Sequence, residues 1–280
     1  MDMGADSDVG GSGPDSGTDF LRSFGRQVKL LREAAGLTQA QLGIRVGYGE
    51  AQIAAVEQAR RIPKPELIDA VDRALDARGV LLAMKGEVAK ARYPSFFRRF
   101  ASYEAEAAEL HAYDTHVVNG IVQCEEYMRA VFRMWRPLLD TETVEQRVAA
   151  RLDRQRMLAR RPAPLLSFVV EEHVFLRPLG GRDVHRAQLE HLLAVGHERH
   201  IEIQVMPVEC DEHAGVAGPF TLILTRSGRR MAYTEVQSHS SLHTEPVTVR
   251  GFESSYGALR AQAKAPKDSL AWIEKLLGEL

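Results

Sequence analysis

The stretch from Leu37 to Glu57, LTQAQLGIRVGYGEAQIAAVE, leaves the chain little choice of local structure. Thr38 and Gln41 have the spacing of a capping box, in which a hydroxyl and an amide satisfy the free N–H groups at a helix start. Leu42 and Val46 give the helix that follows one apolar face. Gly43 allows a second helix to pack close, and Gly47 can take the positive φ of a sharp turn. Residues 50–58 then read as a second short helix that buries Ile53 and Val56. Two short helices joined by a tight glycine turn make a helix-turn-helix, a motif whose second helix can enter the major groove of DNA.

The flanks fit the same kind of unit. From Asp19 a helical period begins, with Phe20, Phe24, Val28, Leu31 and Ala35 at spacings of three and four, and Gly36 is placed to end that helix in a left-handed cap. Pro63 and Pro65 mark a break and a new start, and Leu67, Val71 and Leu75 form the stripe of a helix over 65–77. No strand signal occurs here, so residues 19–92 are expected to form an all-helical bundle. They carry thirteen Lys and Arg against nine Asp and Glu, a net of +4 in a chain whose formal charge is −2. A basic module in a near-neutral chain suits a polyanion. Residues 1–18 hold four Asp and no base among Gly and Ser; with few apolar side chains they read as a disordered tail.

The segment Leu37-Thr38-Gln39, with Leu42, Val46-Gly47, Ile53, Val56-Glu57 and the trailing Arg60-Arg61-Ile62-Pro63, resembles the Xre family, which includes the phage repressors. The resemblance covers about seventy residues. In that family an arginine late in the first helix pairs with a glutamate ending the recognition helix, and Arg32 and Glu57 hold those places; the resemblance therefore implies a structural ion pair. Two positions depart from the pattern: Ala59 replaces the usual glycine after the recognition helix, and Gly43 the usual alanine. The outward face of the recognition helix is Glu50, Ala51, Gln52, Ala54 and Ala55. Glutamine can pair with adenine, glutamate can accept from cytosine, and alanine can touch a thymine methyl, but the face is poor in base-reading groups. Affinity is then expected to lean on phosphate contacts, with Gln39 at a helix N-terminus, Arg45, Arg60, Arg61 and Lys64 as candidates. The expected DNA-binding set is Gln39, Arg45, Glu50, Ala51, Gln52, Ala55, Arg60, Arg61 and Lys64, and the expected partner is double-stranded DNA.

Beyond Tyr93 the pattern changes. Residues 95–112, 120–135 and 141–160 read as helices, the last with Val144, Val148 and Leu152 among arginines. Residues 165–171 are a short β-rich run, 184–200 a helix, and 201–206 an alternating half-buried strand ending at Pro207. Residues 220–225 and 231–236 read as a hairpin around Ser227-Gly228, and helices return from Val247 and over 268–277. The whole is expected to be mainly α with a small β-sheet: an N-terminal phage-repressor-like bundle (19–92) and a C-terminal α+β regulatory or interaction domain (93–280).

That second region is similar to a group of actinobacterial regulators, described as antitoxin-like, that join an Xre helix-turn-helix to a large C-terminal domain. The phrases that carry the likeness are Tyr93-Pro-Ser-Phe-Phe-Arg-Arg-Phe100, Val118-Asn-Gly-Ile-Val-Gln-Cys-Glu-Glu-Tyr127, Arg147-Val-Ala-Ala-Arg-Leu152, Leu189-Glu-His-Leu-Leu193 and His213-Ala-Gly-Val-Ala-Gly-Pro-Phe-Thr-Leu222. Cys124 stands where a threonine is more usual and Asn119 where a proline often is. The resemblance implies a small partner protein encoded nearby and, in some members, a developmental role.

Other chemistry is weakly signalled. His185, His191, His197 and His200 do not have the i, i+4 spacing of a helical zinc site and read as surface residues. Cys210-Asp-Glu-His213 is the one sequence that a Cys/His enzyme or metal site could use; no second ligand cluster matches it, and no GxSxG, P-loop or GxGxxG is present. The expectation is no enzyme, no metal and no cofactor. The alternatives are such a Cys/His enzyme, or a small-molecule sensor with an apolar pocket near Phe168, Phe175, Phe220 and Tyr233. Cys124 and Cys210 make no disulfide framework. No basic-then-apolar leader opens the chain and no window approaches the ~20 apolar residues of a membrane helix, which gives the expectation of a cytoplasmic protein, nucleoid-associated when bound to DNA. A lone helix-turn-helix covers one half-site, so a homodimer is expected, with the 144/148/152 stripe as a candidate interface and an intradomain core as its more ordinary use.

Overall fold

Apolar residues at helical spacing and capped turns account for most of the first hundred residues. The computed structural model describes residues 16–91, 93, 95–237 and 239–280, and the chain divides into two compact units, residues 1–98 and 99–280. Residues 1–15 of the stretch read as a disordered tail lie outside the described residues; helix α1 (Ser16–Ala34) begins three residues before Asp19, so residues 16–18 of that stretch are helical.

The first unit continues through α2 (Gln39–Val46), α3 (Glu50–Glu57), α4 (Pro65–Ala74), α5 (Val80–Ala83) and α6 (Lys85–Lys90). Its core is Leu21, Phe24 and Val28 of α1, Leu42 of α2, Ile53 and Val56 of α3, Leu67, Ile68 and Val71 of α4, with Leu81 and Val88 behind. Gly36 has φ +67, the left-handed stop expected after α1. Helix α4 ends three residues short of the expected 77. Asp72, itself buried, explains the early stop: its carboxylate accepts from the backbone N–H groups of Gly79 and Leu81, both at 3.0 Å, and so pins the turn that replaces the last helical residues.

The second unit follows α7 (Ser95–Ala105), a helix that runs across the division. It contains β1 (Ala107–Asp114), α8 (Glu125–Arg133), α9 (Thr141–Gln155), β2 (Leu165–Glu171), α10 (Glu172–Leu176), α11 (Arg182–Gly196), β3 (Ile201–Met206), β4 (Phe220–Thr225), β5 (Arg230–Val236), β6 (His239–His243), α12 (Pro246–Gln262) and α13 (Pro266–Gly278). The six strands form one mixed sheet in the order β3-β2-β1-β4-β5-β6. β1, β2 and β3 are parallel; β4, β5 and β6 run as an antiparallel meander from the other side of β1. The fold is thus an all-helical N-terminal region and a C-terminal α+β unit.

Several details correct the sequence reading. The helix expected over 95–112 stops at Ala105, and Ala107–Asp114 is the central strand. Its sequence, AAELHAYD, has no β-branched residue, so propensity argues for a helix; pairing on both sides, with β2 and β4, overrides it. β6 and α10 carried no sequence signal that was read. Val144 and Val148 are buried against Met128 and Phe132 of α8, with Leu152 packed alongside, so that stripe is used inside the unit. His185 is buried, not a surface residue, and burial holds its imidazole below the ordinary histidine range.

The strand register also separates the four aromatics of the sensor reading. Phe168 lies level with Ala112, Thr221 and Tyr233 on one face of the sheet. Phe220 lies level with Tyr113 on the other, under α12 with Leu222, Val249, Tyr256 and Leu259. Phe175 packs edge-on against Trp272. These side chains fill the cores of two faces and do not line one pocket.

Candidate nucleic-acid interface

Helix α2 starts where the capping box places it. The Thr38 hydroxyl accepts from the Gln41 backbone N–H at 3.1 Å, and the Gln41 amide oxygen accepts from the Thr38 N–H at 2.8 Å. It ends at Gly47, with φ +75, where the Tyr48 N–H closes back on the Gly43 carbonyl at 2.9 Å. Gly43 is needed by this turn: a Cβ there would sit 2.6 Å from the Tyr48 carbonyl oxygen and 3.3 Å from the Glu50 nitrogen, the first residue of α3. The turn and the start of the second helix therefore press directly on the backbone of the first.

Helix α3 turns Ile53 and Val56 into the core and leaves Glu50 and Ala51 exposed, with Gln52, Ala54 and Ala55 half-buried. The outward face has the small side chains the sequence indicated, so DNA can come close to its backbone while few groups reach base edges. The helix stops in a Schellman arrangement: the Arg60 N–H bonds the Ala55 carbonyl at 2.8 Å and the Ala59 N–H the Val56 carbonyl at 3.0 Å. The residue forced left-handed by this motif is Ala59, at φ +56. The absent glycine noted in the sequence thus leaves an alanine in a conformation that favours glycine.

Arg32 and Glu57 meet across the bundle. The Arg32 Nε donates to Glu57 Oε1 at 2.6 Å and its Nη2 to Oε2 at 3.1 Å, while Nη1 donates to the Leu37 carbonyl at 2.7 Å. Arg32 is 7% exposed and Glu57 8%. The hydrogen bond to Glu57 is the main reason the Arg32 guanidinium is held above its ordinary value, outweighing the cost of burial. One arginine therefore ties the end of α1, the entry to α2 and the end of α3 into a single arrangement.

Gln39 belongs to the same network. Its amide nitrogen donates to Glu57 Oε2 at 2.7 Å, so the side chain is held where the start of α2 meets the end of α3, with its oxygen left to accept. Arg45 is exposed at the end of α2; Arg60 and Lys64 are exposed in the segment after α3, and Arg61 is half-buried. The candidates thus fall at several places along the motif: Gln39 at the start of α2 against the end of α3, Arg45 at the end of α2, Glu50, Ala51 and Gln52 on the first turn of α3, Ala55 on its second, and Arg60, Arg61 and Lys64 beyond its end.

Gly25 is a further residue that the sequence reading passed over. A Cβ at Gly25 would lie 2.5 Å from the Val56 carbonyl oxygen and 2.6 Å from that of Glu57, so α1 touches the C-terminal end of α3 backbone to backbone. The signal was present as a lone glycine inside a helical period, a place where a close-packing reason is the usual one.

In the second unit, the Cys210–His213 segment does not form a thiol–imidazole pair. Cys210 Sγ donates to the Glu212 carbonyl at 2.8 Å. His213 is engaged at both ring nitrogens: Nδ1 accepts from the Gly215 N–H at 2.9 Å, and Nε2 lies 2.8 Å from Glu171 Oε1. That carboxylate also accepts from the Tyr113 hydroxyl at 2.7 Å. The network fastens the segment before β4 to the ends of β1 and β2. Among the described residues no group of three or more His, Cys, Asp or Glu is arranged to hold a metal ion, and no helix is long and apolar enough to cross a membrane.

A capped helix, a glycine turn and a second helix locked by a buried ion pair, within the basic stretch 19–92, define a helix-turn-helix DNA-binding regulator. Residues 23–83 match a family model described as a helix-turn-helix domain. The larger part of the chain, residues 97–275, matches the family described as a domain of unknown function, DUF5753, and the chain belongs to that family. No curated protein and no solved structure matches the chain.

Proposed function

We propose that this protein is a transcriptional regulator of the Xre type, of the antitoxin-like group, that binds an inverted repeat in double-stranded DNA as a homodimer. The observation that carries the reading is the α2–turn–α3 unit with its Arg32–Glu57–Gln39 lock, which holds a small-residue helix face with Glu50 and Gln52 at its start and Arg60, Arg61 and Lys64 beyond its end. The ends of the motif grip phosphates and set the register, and Glu50 and Gln52 read bases. Because that face has few base-reading groups, two half-sites about one DNA turn apart are needed for useful discrimination. The second unit serves assembly and docking of a small partner protein that tunes DNA binding. A non-catalytic role for this unit is supported by His213, whose ring nitrogens are held by Glu171 and the Gly215 N–H and not by the Cys210 thiol. The protein works in the cytoplasm, on the nucleoid.

The test is fluorescence anisotropy of the full-length protein on fragments selected from random duplex DNA. Affinity should fall steeply as salt rises, through counterion release. Replacing both Arg60 and Arg61 with Ala should weaken binding across all sequences, whereas Gln52→Ala should change sequence preference more than overall affinity. Binding indifferent to salt, or unaltered by the double arginine change, rejects the reading.

A further inference from the structure

Where β1 begins beside the β4–β5 turn, arginines gather at one end of the sheet. The turn is Arg226-Ser227-Gly228-Arg229, and Arg230 follows it as the first residue of β5. It is tightly closed. The Gly228 N–H donates to the Thr225 carbonyl and the Thr225 N–H to the Arg229 carbonyl, both at 2.9 Å, with Gly228 at φ +81. The Thr225 hydroxyl also accepts from the Arg229 N–H at 3.1 Å. Residues 226–230 are all exposed.

The Arg226 N–H donates to the Glu106 carbonyl at 3.0 Å, which seats the turn against the entry to β1. Arg160 reaches the same place from the segment before β2: its guanidinium donates to the carbonyls of Ala105 and Ala107, on either side of Glu106. Arg161, next in sequence, is exposed. Burial, and then the like charge of Arg226, hold the Arg160 guanidinium below its ordinary value. Two arginines of the group have carboxylates: Arg229 pairs with Glu106 at 3.1 Å and Arg230 with Glu253 at 3.0 Å. Among the described residues Arg160, Arg161 and Arg226 meet none within ion-pair distance. Like charges crowded in this way repel, and an anion that touches several of them relieves the repulsion.

We propose that this arginine rim, Arg161 and Arg226 with Arg160 and Arg229 beside them, is a second phosphate-binding surface through which the C-terminal unit grips the backbone of double-stranded DNA. The proposal rests on the DNA-binding reading and adds to it a contact outside the helix-turn-helix. The planar guanidinium fork matches the oxygens of a phosphate. Ser227 and Gly228 at the tip leave nothing bulky between the arginines and a phosphate strand. The partner is DNA and not a lipid surface for two reasons. The tip has no apolar side chain to enter a bilayer, and the helix-turn-helix of the same chain raises the local concentration of duplex here. Phosphate contacts carry no sequence information, so this surface adds affinity without preference.

Anisotropy titrations of the full-length protein on selected and on random duplexes, over a range of salt, test it. The double variant Arg161→Ala/Arg226→Ala should bind both duplexes about tenfold or more weakly near 0.1 M salt, and the slope of log affinity against log salt should flatten by about 2, roughly one for each lost phosphate contact. Arg161→Lys/Arg226→Lys should restore the slope, which counts charges; a purely structural role of the guanidinium groups would give no such recovery. If the alanine pair does not fold, Arg226→Ser alone decides, with a slope change of about 1. An alanine pair that binds as wild type does, while the Arg60 and Arg61 change still weakens binding, overturns this surface and leaves the helix-turn-helix reading standing. Loss at 161 and 226 with no effect at 60 and 61 supports the surface and counts against that reading. A wild type that binds no duplex rejects both. A slope that the lysines do not restore overturns the assignment, and so does binding to phosphatidylserine vesicles that depends on 161 and 226 when DNA binding does not.

Discussion

Ala59 shows how much one side chain can cost when a turn dictates the backbone. The Schellman closure of α3 needs a left-handed residue, and an L-residue with a Cβ pays about 1–2 kcal/mol there. Glycine removes that strain but adds freedom to the unfolded chain, which offsets part of the gain. Ala59→Gly should therefore raise stability by about 0.5–1 kcal/mol, seen as a higher melting temperature with DNA affinity retained; a lower melting temperature would show that the turn is not strained. Asp114 presents the opposite problem, a charge without enough partners. Its Oδ1 accepts only from Asn119, at 3.3 Å, and its Oδ2 is closed off from solvent with no hydrogen-bond partner. Burial pushes this carboxyl up to about 7. Because the folded protein holds this proton more tightly than the unfolded chain, stability is lost as pH rises from the ordinary carboxylate range toward 7 and then levels off. Asp114→Asn should flatten that slope and stabilise the protein at pH 8, as followed by denaturant melts between pH 5 and 8. An unchanged slope would mean that the carboxylate finds compensation in the fold.

At the scale of elements, the helix-turn-helix is held by backbone contacts as much as by its apolar face. Gly25 lets α1 rest on the last carbonyls of α3, and Gly43 lets the turn fold back on α2. In both places the obstructing atoms are backbone oxygens, which cannot swing aside as a side chain would. Gly25→Ala should cost about 1–3 kcal/mol through overpacking. It should also weaken DNA binding more than its stability loss explains, because the strain falls on the C-terminal end of the recognition helix and on Arg60 and Arg61 beyond it. Thermal melting paired with anisotropy measures the two effects separately; wild-type stability would show that the helices simply part. The β1 strand is the counter-example among elements. AAELHAYD carries no strand signature, and it becomes the centre of a six-stranded sheet because β2 and β4 satisfy its backbone on both sides.

For the whole molecule, the division into units 1–98 and 99–280 implies that damage is local. Glu57→Ala leaves the buried Arg32 guanidinium without its counter-charge, a loss of about 3–5 kcal/mol for a pair broken from one side. In calorimetry of the full chain at pH 8, this substitution should lower the transition of the N-terminal unit and leave that of the C-terminal unit in place, while Asp114→Asn should raise the transition of the C-terminal unit and leave that of the N-terminal unit in place. A single transition shifted by both would show that the units unfold together.

What the sequence by itself determined is what its local chemistry specifies. The capping box at Thr38 and Gln41, the left-handed glycines 36 and 47, the stripes of α1 and α4, the hairpin around Gly228 and the strands at 165–171 and 201–206 all depend on neighbours within a few residues, so they can be read from the order of the residues. Arg32 and Glu57 were legible as a pair only through the family likeness, since twenty-five residues separate them. The tertiary structure alone decided the rest. It turned Ala107–Asp114 into a strand, placed Phe168 and Phe220 on opposite faces of one sheet, buried His185, gave Gln39 to Glu57, and closed the β3 edge of the sheet with Lys264 and Ser269. Each of those outcomes depends on which distant backbone or side chain arrives to satisfy a polar group or cover an apolar one. Nothing in the nearby sequence records that arrival.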